Sequence, residues 1–446
     1  MKKLLFLALG CVFIGTNAQK KWTLQEVVEY AVQNNLQVIS SQNNQRIQQN
    51  SLSIAKREYL PSVAGNVNNN FSFGQGRDFF GSTQRNDNFT NSVNVGADIL
   101  LFNHGRIEKN IRRTQYELEA AGYDVERVKN DISLQVAQQY LQIMLNKEVE
   151  KIALSSLQNA TKLLDRAKIT TEVGTTARTI LAEAEAAVSR ENQNLKNAEI
   201  NTDRSLFALA QLLRLTDYKN FDVAEVDVEQ QPQAPLHSAS DIIETAFGNQ
   251  PQIKAAESRI KAAQAQTEIT ETAFWPTISA SAGIGSSYFN SLVKRYDQLG
   301  NLVKDRTFFE QYQDTFGQQV GLSANIPIFN KGITRLQVEQ SRINEEVAQN
   351  ALEIQRQEVL QNVQRSQFDA ESSYESYLAA LETEKSTALA LDFTEKSYAA
   401  GRATIYDVNV ARNNYANAQG SVAQAKYNYI FSLKLLNFYA GIPITL

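Results

Sequence analysis

Two stretches of the chain alternate apolar with small or polar residues, and each leads into a polar run too long for an ordinary globule. In the first, Val63, Gly65, Val67, Asn69, Phe71 and Phe73 alternate from Ser62 to Phe73. A Gly-, Asp- and Asn-rich loop at 74–88 comes next, then a second alternating run from Phe89 to Leu101. In the other stretch, Ile278, Ala280, Ala282 and Ile284 alternate from Thr277 to Tyr288, with a longer loop at 289–315. Val320, Leu322, Ala324, Ile326 and Ile328 then alternate with Gln319, Gly321, Ser323, Asn325 and Pro327. Period-two patterning between turn-rich loops predicts two β-hairpins, at 62–101 and 277–328.

Outside the hairpins the period changes to that of a helix. Trp22 to Glu58 carries Val27, Val28, Ala31, Leu36, Val38 and Ile39 at roughly helical spacing behind a Thr23 N-cap. It stops at Tyr59-Leu60-Pro61, because proline disfavours helix for the residue before it. The matching helix runs from Ser240 to Phe274 and stops at Trp275-Pro276. Long helices are predicted at 104–171, 176–215, 333–398 and 405–439, broken at Gly174 and Gly401. The first would be on the order of 100 Å long at 1.5 Å per residue. Their apolar stripes are narrow (Tyr140, Met144, Val149, Ile152; Tyr374, Tyr377, Leu378, Leu381). Such stripes suit helices that pack sideways and are wet on two faces.

The same unit is written twice. Asp98 to Gly105 reads DILLFNHG and Asn325 to Gly332 reads NIPIFNKG, so Phe102 and Phe329 are 227 apart (329 − 102). That offset also links Gly174 to Gly401, Ala184 to Ala411 and Leu206 to Leu433, whereas Pro61 and Pro276 are 215 apart (276 − 61). The second copy therefore carries about a dozen extra residues between its strands, and the fold is one unit duplicated. The resulting division is 1–18 leader, 19–215 repeat 1, 216–236 linker and 237–446 repeat 2.

Composition narrows the setting. Lys2-Lys3, the apolar Leu4 to Gly15 and Thr16-Asn17-Ala18 form a secretory signal, too short for a spanning helix. Ala8-Leu9-Gly10-Cys11 offers a weaker reading as a lipidation site. Cys11 is the one cysteine, so removing 1–18 removes any disulfide or thiolate metal site. It also leaves 42 basic against 48 acidic residues, a net charge of −6, which disfavours nucleic acid and anionic lipid as partners. No later stretch is apolar for long enough to span a bilayer as a helix. His104 and His237 lack metal-like spacing, Gly74-Gln75-Gly76 and Gly283-Ile284-Gly285 open no helix, and no nucleophile has an acid–base neighbour. No enzyme, cofactor or metal is expected.

Strands of about a dozen residues, apolar on one side and small or polar on the other, have the length and faces of transmembrane strands. Four strands cannot close, because the smallest membrane barrels use about eight, and an open edge is not tolerated in hydrocarbon. A membrane reading thus requires copies around a shared barrel: three copies supply twelve strands, and the arithmetic permits two or four copies as well. The other reading makes these edge hairpins on a soluble periplasmic coiled-coil scaffold without a pore.

The duplication, Leu60-Pro61 and Trp275-Pro276 before the first strands, Phe102-Asn103-His104-Gly105 and Phe329-Asn330-Lys331-Gly332 after the second, and Gly401 followed by Thr404-Ile405-Tyr406-Asp407-Val408 carry a resemblance over essentially the whole mature chain. The chain resembles the TolC-like outer-membrane efflux duct family. The resemblance implies a mixed α and β membrane protein: a homotrimer with a twelve-strand outer-membrane β-barrel continued by a periplasmic α-helical barrel. It implies the exit duct of a tripartite efflux system, without catalysis, in outer-membrane lipid. Its partners would be a periplasmic adaptor (membrane fusion) protein and an inner-membrane pump of RND, ABC or MFS type. Type I protein secretion through the same architecture is the alternative.

The resemblance also singles out residues. Asp407 matches an aspartate of the family's periplasmic gate, where three copies would form an acidic ring favouring cations. A second gate aspartate falls on Val410 here and the first-repeat counterpart of Asp407 is Ile180, so any ring is single. Asp407 would equally favour the start of its own helix through the dipole. Tyr398 matches a gate-latching tyrosine whose arginine partner falls on Ala403, with Arg402 or Arg178 as the candidate substitute; plain packing is the other account. Val173-Gly174-Thr175 and Ala400-Gly401-Arg402 match the turns grasped by the adaptor, although a glycine leaving a helix with positive φ needs no partner to explain it. Phe102 and Phe329 match the strand–helix junctions at the membrane boundary, where aromatic belts form and where core packing would also place them.

Overall fold

The structure, a computed structural model, describes residues 21–77, 83–225, 239–296, 302–303 and 306–442. The leader at 1–18 with Cys11, residues 226–236 of the linker, His237 and Pro443 to Leu446 lie outside the described residues.

In chain order the elements are β1 (Lys21–Trp22), α1 (Leu24–Asn34), α2 (Leu36–Arg57), β2 (Ser62–Ser72), β3 (Gln75–Arg77), β4 (Thr83–Arg85), β5 (Asn88–Phe102), α3 (Arg106–Glu172), α4 (Arg178–Leu212) and β6 (Asp222–Val223). The second half continues with α5 (Ala239–Asn249), α6 (Pro251–Glu271), β7 (Thr277–Ser291), β8 (Arg295–Tyr296), β9 (Leu302–Val303), α7 (Phe308–Asp314), β10 (Gly317–Asn325), α8 (Ile333–Ala399) and α9 (Ile405–Tyr439). The duplication is numerical: α3 and α8 each have 67 residues, α4 and α9 each have 35, and all four boundaries differ by 227. No described helix is long and apolar enough to cross a membrane.

Four details depart from the sequence reading. The helix expected over Trp22 to Glu58 breaks at Asn35, whose ψ of 133° ends α1 and whose Oδ1 accepts from the Gln37 amide at 2.8 Å to start α2. The helix expected over Ser240 to Phe274 breaks 215 residues later, at Gln250, where Pro251 occupies the first helical position and has no N–H to leave unpaired. The loop expected at 289–315 contains α7, and β10 stops at Asn325 rather than Ile328, since Pro327 cannot donate to a ladder.

Two compact units emerge. One comprises Asn44–Ala121 and Ala255–Leu352 and contains the main sheet, of order β10-β7-β5-β2 with every pairing antiparallel. The two hairpins are thus joined through β5 and β7. Register separates the residue types: Val67, Val93, Val95, Ala97, Ile99, Ala280, Ala282, Ile284, Val320 and Leu322 share one face. Asn66, Asn68, Ser92, Asn94, Gly96, Asp98, Ser279, Ser281, Gly283, Gln319 and Ser323 share the other. A Cβ at Gly285 would displace the Asn94 side chain that lies across it. The apolar face is bare, with Val320 88 % exposed and Leu322 72 %.

The other unit comprises the residues up to Asn43, Gly122–Lys254 and those from Glu353 onward. Its core joins Leu24, Val27 and Ala31 of α1 to Ile132, Val136, Tyr140 and Met144 of α3, Leu209 of α4 and Leu213 just after it, Tyr377 of α8 and Tyr429 and Ile430 of α9. The parallel pair β1–β6 closes one side of it, with Lys21 opposite Asp222. Tyr140 is wholly buried and its hydroxyl donates to the Ala224 carbonyl at 2.6 Å, while Lys147 donates to Asp222 Oδ1 at 2.5 Å. Burial, with the Asp222 and Glu26 carboxylates nearby, pushes the Tyr140 phenol up to about 12.

Candidate functional site: helix-hairpin turns and polar groove

The α3–α4 and α8–α9 turns are built alike. After α3 the Gly174 amide donates to the Thr171 carbonyl at 3.1 Å and the Thr175 amide to the Thr170 carbonyl at 2.9 Å. After α8 the Gly401 amide donates to Tyr398 at 3.0 Å and the Arg402 amide to Ser397 at 2.9 Å. Both are Schellman closures, which need a left-handed residue at the turn; φ is +75° at Gly174 and +71° at Gly401. A Cβ at either glycine would meet nothing within 4 Å. Val173, Thr175, Ala400 and Arg402 are exposed around them.

The helices that leave the two turns start differently. Thr404 caps α9: its hydroxyl accepts from the Asp407 amide at 3.2 Å, and the Asp407 carboxylate accepts from the Thr404 amide and hydroxyl, each at 2.7 Å. These donors hold the exposed Asp407 carboxyl below its usual range, the backbone amide foremost. The helix α4 has no side-chain cap, because Ala177 stands where Thr404 stands in the second copy (404 − 177 = 227). Tyr398 is half-buried, and the guanidinium over its ring is that of Arg166, 5.8 Å from the ring centre. Neither Arg402 nor Arg178 fills that place.

One residue not singled out in the sequence is Arg412. It donates to Glu395 Oε1 at 2.5 and 3.0 Å and to the Asn159 carbonyl at 3.3 Å, so a single guanidinium joins α9 to α8 and α3. Nothing within its neighbourhood in sequence marks it, since Asn159 is 253 positions away.

Farther along the same helices a groove of 1140 Å³ runs between α3, α4, α8 and α9. Its lining is amide and hydroxyl rather than charge: Asn194, Asn197, Asn201, Ser372, Asn417 and Ser421 among others, with Glu191 and Asp369 as its ionised groups. Phe102 ends β5 opposite Ile278, and Phe329 lies beyond β10; both side chains are exposed, Phe329 at 85 %.

The sequence profile of a family described as "Outer membrane efflux protein" matches residues 27–213 and 242–441, the two repeats. Among curated proteins, the chain is 25 % identical over 442 residues to outer membrane protein TolC of Escherichia coli (strain K12), covering 97 % of this chain and 85 % of that one. It is 23 % identical over 430 residues to outer membrane efflux protein BepC of Brucella suis biovar 1 (strain 1330), covering 96 % and 87 %. A crystal structure of CusC, described as undergoing transmembrane channel formation, superposes with a TM-score of 0.76 at 17 % identity, covering 94 % of this chain and 92 % of that one.

Proposed function

Because the chain belongs to the outer membrane efflux protein family, we propose that it forms the outer-membrane exit duct of a tripartite efflux system, as a homotrimer without catalysis of its own. The observation that carries this is the two-faced sheet with both outer edges unpaired among the described residues. Its exposed valines and leucines face lipid, and its asparagines, serines and glycines face a water-filled bore. An edge strand cannot remain open in hydrocarbon, so β2 of one copy pairs with β10 of the next, and three copies close twelve strands.

The dimensions agree. Aromatic and bulky apolar side chains occur where Phe102 stands opposite Ile278 and again where the Phe89 and Tyr288 rings meet, 6.1 Å between centres, and Ile278 and Tyr288 are ten residues apart on β7 (288 − 278). At about 3.3 Å per residue and a tilt near 40°, that is roughly 25 Å, the height of the apolar band of outer-membrane barrels. Phe102 and Phe329 then mark the periplasmic girdle, and the polar groove between the long helices lines the bore of the helical part. The turns at Gly174 and Gly401 are the adaptor's contact points, Tyr398 and Asp407 belong to the periplasmic gate, and the pump and adaptor supply energy and selectivity.

The test is insertion of the purified, detergent-solubilised protein into planar bilayers, with the mass of the protein–detergent complex measured in parallel. Discrete conductance steps from a complex of three chains are expected. A chain that extracts without detergent and never inserts is a periplasmic scaffold. Loss of an exported protein, rather than of small-molecule export, on deletion would move the duct to protein secretion.

A further inference from the structure

We propose that α7, the short helix inserted only in the second hairpin, is a lipid anchor: it lies on the outer face of the barrel with Phe309 and Phe316 seated in the acyl-chain boundary of the outer leaflet. This rests on the duct reading, since it is that reading which makes the apolar face the lipid face.

The position of α7 is fixed by side chains that take the place of a strand. Pairing of β10 with β7 ends at Gly317 opposite Gly285. Beyond it the Thr315 hydroxyl donates to the Ser287 carbonyl at 2.7 Å and accepts from the Ser287 amide at 3.0 Å. Two residues on, the Gln311 amide group donates to the Phe289 carbonyl at 2.9 Å and accepts from the Phe289 amide at 3.0 Å. Residues at i and i+2 on one strand edge are what a neighbouring strand would have bonded, so α7 caps this edge of β7 with side chains.

Its side of the sheet is equally defined. The Tyr312 hydroxyl donates to Asn91 on β5, and Asn91 stands opposite Tyr288 on the face that carries Val93, Val95 and Ile284. The Phe308 ring packs against Tyr288 with centroids 5.0 Å apart and against Tyr312 at 4.5 Å. The helix therefore sits over the apolar face, outside the bore, at the end of the strands remote from α3 and α8. Phe308, Tyr312 and Thr315 face inward at i, i+4 and i+7; Phe309, Gln313 and Phe316 are left facing outward. Phe309 is 83 % exposed.

The charged groups of this segment are turned on themselves. Arg306 pairs with Asp314, and Glu310 accepts from the Thr307 amide at 2.9 Å in a capping box. What α7 turns outward is Phe309 and Phe316 flanking Gln313, at the level of Tyr288 and on the face that carries bare Val320 and Leu322. Aromatic rings at the end of a lipid-facing surface sit at the polar–apolar boundary, where their flat apolar bodies are buried and their neighbours stay wet.

Single cysteines at 309, 320 and 323, in full-length protein with Cys11→Ser, would each carry a nitroxide label, and the oligomer would be reconstituted into phosphatidylcholine vesicles. Accessibility to oxygen against a water-soluble nickel chelate is then read by spin resonance. The expected result is an oxygen-to-nickel ratio at Phe309→Cys similar to that at Val320→Cys and several-fold above that at Ser323→Cys. A lipid-like ratio at 320 with a water-like ratio at 309 overturns the anchor and leaves the duct intact. Water-like ratios at both 309 and 320 overturn both. Phe309 touches the cluster only through the edge of Phe308, 5.7 Å between ring centres, and Phe316→Cys gives a second, independent reading.

Discussion

The imidazole of His104 lies flat on the indole of Trp275, with ring centres 4.2 Å apart and planes 6° from parallel. His104 comes just after the last strand of the first hairpin and Trp275 precedes the first strand of the second, so the stack clamps the two repeats where their strands meet their helices. His104 holds φ at +54°, a conformation asparagine also tolerates. Replacing it by Asn therefore removes the ring and keeps the backbone. His104→Asn and Trp275→Leu are each expected to destabilise the protein. A double-mutant cycle in denaturant should return a coupling of about 1 kcal/mol. Additive effects would show that the rings merely lie side by side.

Tyr140 predicts an alkaline weakness. In the unfolded chain its phenol ionises near 10, and in the folded protein at about 12. The folded-state value is raised, so the stabilisation is complete below pH 10 and is lost as pH rises toward 12, where the unfolded chain has released a proton that the folded one retains. The loss amounts to roughly 2–3 kcal/mol across that window. Tyr140→Phe also deletes the donor to the Ala224 carbonyl, costing about 1–2 kcal/mol at neutral pH. Unfolding by denaturant at pH 7 and pH 11 checks both: the variant should start weaker and lose less on alkalinisation. An unchanged alkaline loss would place the titration elsewhere.

What could be seen in advance depended on how far apart the decisive atoms are. The hairpins and four long helices were legible because their signals are periodic and local, and the duplication doubled them: α3 and α8 begin 227 residues apart, as the Phe102 and Phe329 motifs do. The breaks at Asn35 and Gln250 were obscured by dense Gln and Asn, whose side chains cap as readily as they ride on a helix, although Pro251 was a visible start signal. The helix α7 also had a visible mark, Thr307 three residues before Glu310, lost in a loop too short to show a period. The pairing of β1 with β6, the Arg166–Tyr398 contact and the Arg412 junction were invisible, each joining residues about 200 or more positions apart.

The turn glycines separate backbone need from contact need. Both have positive φ and open space around the missing Cβ, so Gly174→Asn and Gly401→Asn should cost only a few tenths of a kcal/mol, and the Ala variants about 1 kcal/mol. If the adaptor grasps these turns, the Asn variants will lose export in cells while their unfolding midpoints barely move. Export that tracks stability alone, falling for Ala and not for Asn, would remove the adaptor from these turns.

Asp407 combines two roles that one pair of variants can separate. Its carboxylate accepts from Thr404, which stabilises the first turn of α9, and it stays exposed beside a helix-hairpin turn. The carboxyl is held below its usual range, so its capping contribution is present above the ordinary aspartate value near 4 and is lost as pH falls below it. Thr404→Ala removes the hydroxyl half of the cap and leaves the charge; Asp407→Asn removes the charge and leaves a side chain able to accept the same amide hydrogen. If a ring of three carboxylates sets selectivity, reversal potentials in planar bilayers should show cation preference falling in Asp407→Asn and persisting in Thr404→Ala. Local hydrogen exchange at the start of α9 should report the reverse order, with Thr404→Ala fraying more. Equal selectivity in both variants would leave Asp407 a helix cap alone, and the gate would then have to be sought around Tyr398 and the Arg166 guanidinium over its ring.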